Sequence, residues 1–192
     1  MKKIILISIF ILVSALSAQA NEIKRIFVGN ESAKISIIAF ESLTCSYCAK
    51  FHQDVYPLLK KEYLDTGLAK IEFRHFPLDI AAFNASKVAQ CTNDGNLEIL
   101  ESLYANQQKW VKGSSIEEAN INLQKFLSKE GFNIDFESCI NNKQIEDFVL
   151  NDRIDGAKNF KVNATPTIII NNKKFEKTLN YKNLKKALEK LI

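Results

Sequence analysis

The stretch FESLTCSYCAKFH, residues 40–52, joins an apolar strand pattern to a helical pattern and places Cys45 and Cys48 at the junction. A thiol at the start of a helix meets exposed amide dipoles, which stabilise its thiolate. Because the thiolate is the species that attacks disulfides, we predict that Cys45 is the nucleophile. Cys48, one helical turn further along, is predicted to be the resolving partner.

Two cysteines at this spacing are also half of a zinc site. Zinc normally needs a second pair of ligands at comparable spacing, and the only nearby candidate is His52, on the same helical stretch. The pattern therefore favours redox chemistry over a metal site, and we expect no cofactor.

The N-terminus has the three regions of a secretory signal peptide. Lys2-Lys3 is followed by the apolar run of residues 4–13 and then by the small-residue stretch of residues 18–20. We therefore predict a signal peptide over residues 1–20, cleavage after Ala20 and a soluble protein in the periplasm or another exported compartment. The alternative is an uncleaved anchor, but the apolar run is short for a membrane span.

The composition limits the size of the fold and the classes of partner that the protein can bind. With 192 residues, of which 46% are hydrophobic, the chain can form one packed domain with an insertion. Removal of Lys2 and Lys3 lowers the formal charge from +4 to +2. No basic cluster remains that would indicate binding to nucleic acid or to a lipid surface, so neither partner is expected.

Export also changes the interpretation of the two other cysteines, since an oxidising compartment permits disulfides. With Cys45 and Cys48 as one pair, Cys91 and Cys139 are left to each other. We predict that they form a structural disulfide that braces the helical part of the chain. The alternative is two buried free thiols, because both have apolar neighbours.

Hydrophobic periodicity predicts an α/β core that is split by an all-helical insertion. The predicted core covers residues 21–78 and 161–192, and the insertion covers residues 79–160. Predicted strands lie at residues 23–28, 34–41, 69–76, 168–170 and 173–175. Predicted helices follow the cysteine pair, with a bend at Pro57, and then occupy residues 81–91, 97–108, 116–128, 144–160 and 183–192.

This arrangement resembles the DsbA family of thiol:disulfide oxidoreductases, which have a thioredoxin fold with an inserted helical domain. The resemblance rests on Cys45-Ser46-Tyr47-Cys48 at a strand-to-helix junction, on the helical insertion, and on Thr165-Pro166-Thr167 at the start of a late hairpin. It implies that Pro166 is a cis-proline that lies against the cysteine pair and, with Thr165, forms part of a substrate groove. A cis X-Pro bond is uncommon, and the close approach of backbone to a thiol pair gives a reason for one.

The resemblance also implies an activity and partners. The protein would donate a disulfide to reduced secreted proteins and be reoxidised by a membrane quinone-linked partner or a small-molecule oxidant, and we expect a monomer. The alternatives are a disulfide isomerase or reductase with the same residues, and a chaperone-like binding module without enzymatic activity. Family isomerases usually carry an added dimerisation domain, for which residues 21–34 leave no room.

Two positions depart from the family pattern. Ser46-Tyr47 separates the thiols, whereas the strongest oxidants of the family carry Pro-His there. The position that often holds a buried acid is Ala39, and Glu41 lies two residues further along on the same strand face. Glu41 is a candidate proton-transfer group, although a glutamate near a strand end is ordinarily exposed. His52 and His75 are interpreted as packing residues.

Overall fold

The computed structural model describes residues 22–192, so the predicted signal peptide lies outside the described residues. Within them, one mixed sheet has the strand order β1-β3-β2-β4-β5. Strands β2 and β3 are parallel, and the other neighbouring pairs are antiparallel. The strands are β1 (Ile26–Gly29), β2 (Ile35–Glu41), β3 (Ala69–His75), β4 (Thr167–Ile170) and β5 (Lys173–Lys174).

Helices cover the sheet and fill the interval between β3 and β4. Helix α1 (Ser46–Asp54) follows β2, and α2 (Tyr56–Leu59) leads into a π-helical segment (Lys60–Leu64). The interval between β3 and β4 contains α3 (Ile80–Gln90), α4 (Glu98–Ala105), α5 (Gln107–Trp110), α6 (Ile116–Lys129), α7 (Phe136–Ile140) and α8 (Lys143–Asn159). Helix α9 (Tyr181–Leu188) follows the β4–β5 hairpin. None of the helices in residues 22–192 is both long and apolar enough to cross a membrane.

Strand β2 is the centre of the fold because both of its faces are buried. Ile37 and Ala39 belong to the large hydrophobic cluster, whereas Ile38 and Phe40 belong to a smaller cluster on the opposite face. Helix α8 lies close to this second face: a Cβ added at Gly156 would come within 2.8 Å of the Phe40 ring. A strand that is covered on both faces has a nearly continuous apolar sequence, as residues 37–40 show.

The inserted helices share their core with the sheet. The large cluster joins Ile37 of β2 and Phe51 of α1 to Leu103 of α4, Leu123 of α6 and Cys139 of α7. Strand β2 and helix α1 therefore share one hydrophobic cluster with side chains from the insertion.

Several helix boundaries differ from the sequence prediction. The predicted helix over residues 97–108 is interrupted at Asn106, whose backbone leaves the helical region. Helix α7 was missed because it has five residues, too few for a periodic pattern, and it begins at the Asp135 side-chain cap. Around Pro57, α1 ends at Asp54 and Pro57 lies in the first turn of α2, where its missing N–H is tolerated.

Candidate active site

Cys45 is the N-cap residue of α1 and has an extended backbone. Its carbonyl accepts hydrogen bonds from the Cys48 and Ala49 amides, which begin the helix. The first turn of α1 contains no acidic residue, so nothing within that turn offsets the positive end of the helix dipole. The Tyr47 side chain is 72% exposed and lies beside the two thiols along the chain.

The environment of Cys45 favours its thiolate. The pKa of this thiol is lowered to about 5, chiefly because the Cys48 thiol donates a hydrogen bond to the Cys45 thiolate. Partial burial opposes this effect, while the Thr165 hydroxyl and the backbone amides of Cys48 and Tyr47 reinforce it. Cys45 is half-buried and therefore still accessible to a reactant.

Cys48 has the opposite environment. Its side chain is fully buried in the large hydrophobic cluster. Burial raises the pKa of the Cys48 thiol far above its ordinary value, and the hydrogen bond to Cys45 and the charge of Glu41 raise it further. The two thiols are therefore strongly differentiated: Cys45 is a thiolate at neutral pH and Cys48 keeps its proton.

The Thr165–Pro166 segment lies directly against the nucleophile. The peptide bond between these residues is cis. The Cys45 Sγ lies 3.3 Å from the Thr165 carbonyl oxygen, to which it donates when the thiol is protonated. The buried Thr165 hydroxyl has no hydrogen-bond partner other than Cys45 among residues 22–192, and Pro166 is partly exposed. A backbone edge beside a partly exposed thiolate can receive an extended polypeptide.

A side chain that the sequence did not single out holds the loop before α1. Gln107 of α5 donates through Nε2 to the Leu43 carbonyl at 2.8 Å and to the Cys45 carbonyl at 3.0 Å. On the other side of the loop, the Thr44 hydroxyl donates to Asp79 at 2.6 Å. No local motif marks Gln107, because its partners lie more than 60 residues away along the chain.

Glu41 is buried, so the ordinary expectation of an exposed glutamate at a strand end is wrong. Only 3% of the residue is exposed, and its Oε2 lies 2.8 Å from His52 Nε2. The interpretation of His52 as a packing residue is therefore incomplete, because this histidine pairs with an acid near the thiols. His75 is also buried and bonds to the Gln90 side-chain oxygen at 3.2 Å.

Cys91 and Cys139 lie outside this site and are joined in a disulfide with a Cα–Cα distance of 5.5 Å. The bond links the end of α3 to α7, within the inserted helices. Among residues 22–192, no three His, Cys, Asp or Glu side chains are grouped so as to hold a metal ion.

Comparisons with known proteins agree with this geometry. The family model described as Thioredoxin matches residues 21–190. The structure superposes on the crystal structure of Wolbachia pipientis alpha-DsbA1 with a TM-score of 0.77 and 27% identity, covering 87% of this chain and 90% of that one. The disulfide bond formation protein D of Bacillus subtilis (strain 168) is 26% identical over 174 residues, which are 85% of this chain and 75% of that protein.

A relative from Rickettsia typhi, provisionally named a protein-disulfide oxidoreductase, is 25% identical over 171 residues. These cover 86% of this chain but 61% of that relative, so the chain spans less than two thirds of its length. The predicted α/β fold with inserted helices, and the resemblance to DsbA proteins, are confirmed by these matches.

Proposed function

We propose, since this chain belongs to the thioredoxin family, that it is a thiol:disulfide oxidoreductase that donates a disulfide between Cys45 and Cys48 to reduced proteins. The observation that carries the proposal is the half-buried Cys45 at a helix N-terminus, with a pKa of about 5, against the Thr165 carbonyl. A thiol with so low a pKa is a good leaving group, so a disulfide made with it is readily broken.

Disulfide transfer to a substrate needs only Cys45, Cys48 and the two thiols of the substrate. A substrate thiolate attacks Cys45 Sγ, the Cys45–Cys48 bond breaks, and Cys48 leaves with the electron pair and takes up a proton. The second substrate thiolate then attacks the substrate sulfur that is bonded to Cys45, and Cys45 leaves as a thiolate. The substrate has lost two electrons and gained a disulfide, and the protein holds one thiolate and one thiol.

The direction of disulfide transfer follows from the stability of the reduced protein. Hydrogen bonds from Cys48, Thr165 and two backbone amides stabilise the Cys45 thiolate, and this thiolate exists only after the disulfide has opened. Stabilisation of the reduced protein makes the oxidised protein a stronger oxidant. In this chain Ser46-Tyr47 separates the thiols, and these donors stabilise the Cys45 thiolate. In family members with a histidine between the thiols, that histidine would have this role.

The residue roles and partners complete the proposal. Cys45 is the nucleophile, Cys48 is the resolving thiol, Thr165 and Pro166 form part of the substrate groove, and the Cys91–Cys139 bond braces the helical domain of residues 79–160. The protein is an exported, soluble monomer once residues 1–20 are removed. Its substrates are reduced secreted proteins, and a membrane quinone-linked partner or a small-molecule oxidant restores the disulfide. The B. subtilis relative, by its name, acts in disulfide bond formation.

The test is the equilibrium of the oxidised protein with glutathione as a function of pH. Reduction by two glutathione molecules leaves one proton on Cys48 and releases the other, because Cys45 stays a thiolate above a pH of about 5. The apparent equilibrium constant for reduction should therefore rise about tenfold per pH unit up to the ordinary thiol pKa of about 8.5. An equilibrium constant that does not change over this range would contradict the proposal.

The same protein should oxidise a reduced dithiol peptide in stoichiometric amounts. C45S/C48S is the matched control, since it keeps the fold of the site but cannot carry a disulfide there. A binding module without enzymatic activity would instead treat both proteins alike, and that result would also contradict the proposal.

A further inference from the structure

One side chain of the inserted helices is bonded directly to the backbone of the proposed nucleophile. Gln107 of α5 donates through Nε2 to the Leu43 carbonyl at 2.8 Å and to the Cys45 carbonyl at 3.0 Å. The Cys45 carbonyl also accepts the first hydrogen bonds of helix α1. A donor at this carbonyl can therefore act on the reacting sulfur of the same residue as well as on the shape of the loop.

The Cys45 carbonyl has more donors than acceptor sites. The amides of Cys48 and Ala49 donate to it at 3.1 and 3.2 Å, and Gln107 Nε2 is the third donor. A carbonyl oxygen has two lone pairs. Three donors therefore share two acceptor sites, and Gln107 is the closest of the three.

The Cys48 amide has a second acceptor. It also donates to the Cys45 sulfur, as the Tyr47 amide does, and both bonds stabilise the thiolate. An N–H that is shared between two acceptors is common at the ends of helices. Any other donor that satisfies the Cys45 carbonyl leaves more of the Cys48 N–H for the sulfur.

A break between α4 and α5 directs Gln107 to the active-site loop. Helix α4 ends at Ala105, and the backbone of Asn106 leaves the helical region before α5 begins. In an unbroken helix the Leu103 carbonyl would accept from the Gln107 amide. Here the indole N–H of the buried Trp110 donates to that carbonyl at 2.8 Å. The break is therefore stabilised within the core, which gives Gln107 a fixed position.

We propose that Gln107 is a positioning residue for the nucleophile: it occupies one acceptor site of the Cys45 carbonyl and so directs the Cys48 amide toward the Cys45 sulfur. Ala49 fills the other acceptor site. The inserted helices thereby contribute to the stability of the thiolate and to the oxidising strength of the Cys45–Cys48 disulfide. The proposal rests on the thiol:disulfide exchange described above, in which a stable thiolate makes the disulfide a stronger oxidant.

The test compares Q107M with the matched control Q108M. Methionine is similar in length to glutamine but has no donor, and Gln108 is the exposed neighbour of Gln107 on the same short helix. In reduced Q107M the Cys48 amide should turn toward the carbonyl. The pH midpoint of Cys45 alkylation should then rise from about 5 by at least about half a pH unit, whereas in Q108M it should move by less than about 0.2 units.

A second measurement is the glutathione equilibrium of Cys45–Cys48 at pH 7. In Q107M it should shift toward the oxidised protein, and half a pKa unit corresponds to about threefold. This shift is present above the Cys45 pKa and is lost as the pH falls through it, because only the thiolate is stabilised. A merely structural role of Gln107 would destabilise both redox forms alike and would leave the midpoint and this equilibrium unchanged.

Neither substitution changes a charge near the nucleophile. The charged side chains on the elements packed around Cys45 include Glu41 at the end of β2, Asp79 at the start of α3, Lys50 on α1 and Lys109 on α5. Residues 162–167, which contain the cis-proline, have none. A difference between Q107M and Q108M therefore reports the lost hydrogen bonds.

A third measurement uses the unsubstituted protein, so it does not depend on the folding of Q107M. In NMR spectra of the reduced protein, the side-chain amide of Gln107 should exchange with solvent at least tenfold more slowly than that of Gln108, because Gln107 is bonded to two carbonyls. The Cys48 backbone amide resonance should shift as the pH passes through the Cys45 midpoint of about 5.

Three results would overturn the proposal: an unchanged Cys45 midpoint in Q107M, equal shifts in Q107M and Q108M, or equal exchange of the two side-chain amides. Each would leave the proposed function intact as long as the unsubstituted protein keeps a Cys45 midpoint of about 5 and oxidises a dithiol peptide. A midpoint near the ordinary thiol value of about 8.5 in the unsubstituted protein would instead overturn the proposed function, and the role of Gln107 with it.

Discussion

The two cysteine pairs of this protein differ in spacing, surroundings and state. Cys45 and Cys48 are one helical turn apart, are not bonded to each other in this structure and have sharply different environments. Cys91 and Cys139 are 48 residues apart and are joined in a disulfide. Cys139 is almost fully buried in the large hydrophobic cluster, where a thiolate would be poorly solvated.

We infer from this difference that the stability of the reduced cysteines decides whether a disulfide opens and closes during turnover or stays closed. Opening Cys45–Cys48 produces a thiolate that the helix N-terminus, Cys48 and Thr165 stabilise. Opening Cys91–Cys139 would place a thiol in an apolar cluster and release a constraint on the inserted helices. This difference supports the proposal that the first pair cycles and that the second braces the inserted helices.

The largest expected effect comes from removing the nucleophile. C45S should lower the rate of dithiol-peptide oxidation by about a thousandfold or more, because a serine hydroxyl forms no disulfide and is not ionised at neutral pH. C91S/C139S is the control and should keep at least half of the rate at 25 °C. A comparable loss in the control would erase the distinction between the two pairs.

Removal of the second disulfide should instead appear in stability. C91A/C139A should lower the free energy of unfolding by about 4 kcal/mol, the loop-closure entropy for a separation of this length. Urea denaturation of the oxidised proteins measures the difference, and the glutathione equilibrium of Cys45–Cys48 should change less than threefold. If the free energy of unfolding stays the same while the glutathione equilibrium of Cys45–Cys48 changes tenfold, the Cys91–Cys139 disulfide does not have the proposed structural role.

A smaller effect is expected at Thr165. T165V removes a hydroxyl that donates to the Cys45 thiolate, so the pKa of Cys45 should rise above about 5. The glutathione equilibrium should shift toward the oxidised protein by roughly tenfold or less, since one pKa unit corresponds to a factor of ten. T165S keeps the hydroxyl and should behave like the unsubstituted protein. If T165V and T165S have the same glutathione equilibrium, the Thr165 hydroxyl does not stabilise the Cys45 thiolate.

Features set by neighbouring residues could be predicted from the sequence. The run into Cys45 and the helical spacing after it placed the thiol at a helix start, and Thr165-Pro166-Thr167 marked the entry to β4. Alternation along β2 placed Glu41 on the same face as Ala39. Each of these inferences needs only a few consecutive residues.

Features set by distant contacts could not be predicted. Glu41 is paired with His52, and the His52 ring stacks on Tyr104, which comes from an inserted helix. The hydrogen bonds from Gln107 depend on the interruption at Asn106, which turns a single predicted helix into α4 and α5. Periodicity reports which face of an element is apolar, but not which other element will cover it.

The most direct test of the central claim is the pH dependence of alkylation in the reduced protein, with the labelled residue located by mass spectrometry. Cys45 should react first, with a midpoint at a pH of about 5, because its thiolate is lost only as the pH falls through that value. Cys48 should stay unlabelled while the protein is folded, since it is fully buried and keeps its proton. A midpoint near the ordinary thiol value of about 8.5, or labelling of Cys48 before Cys45, would contradict the account.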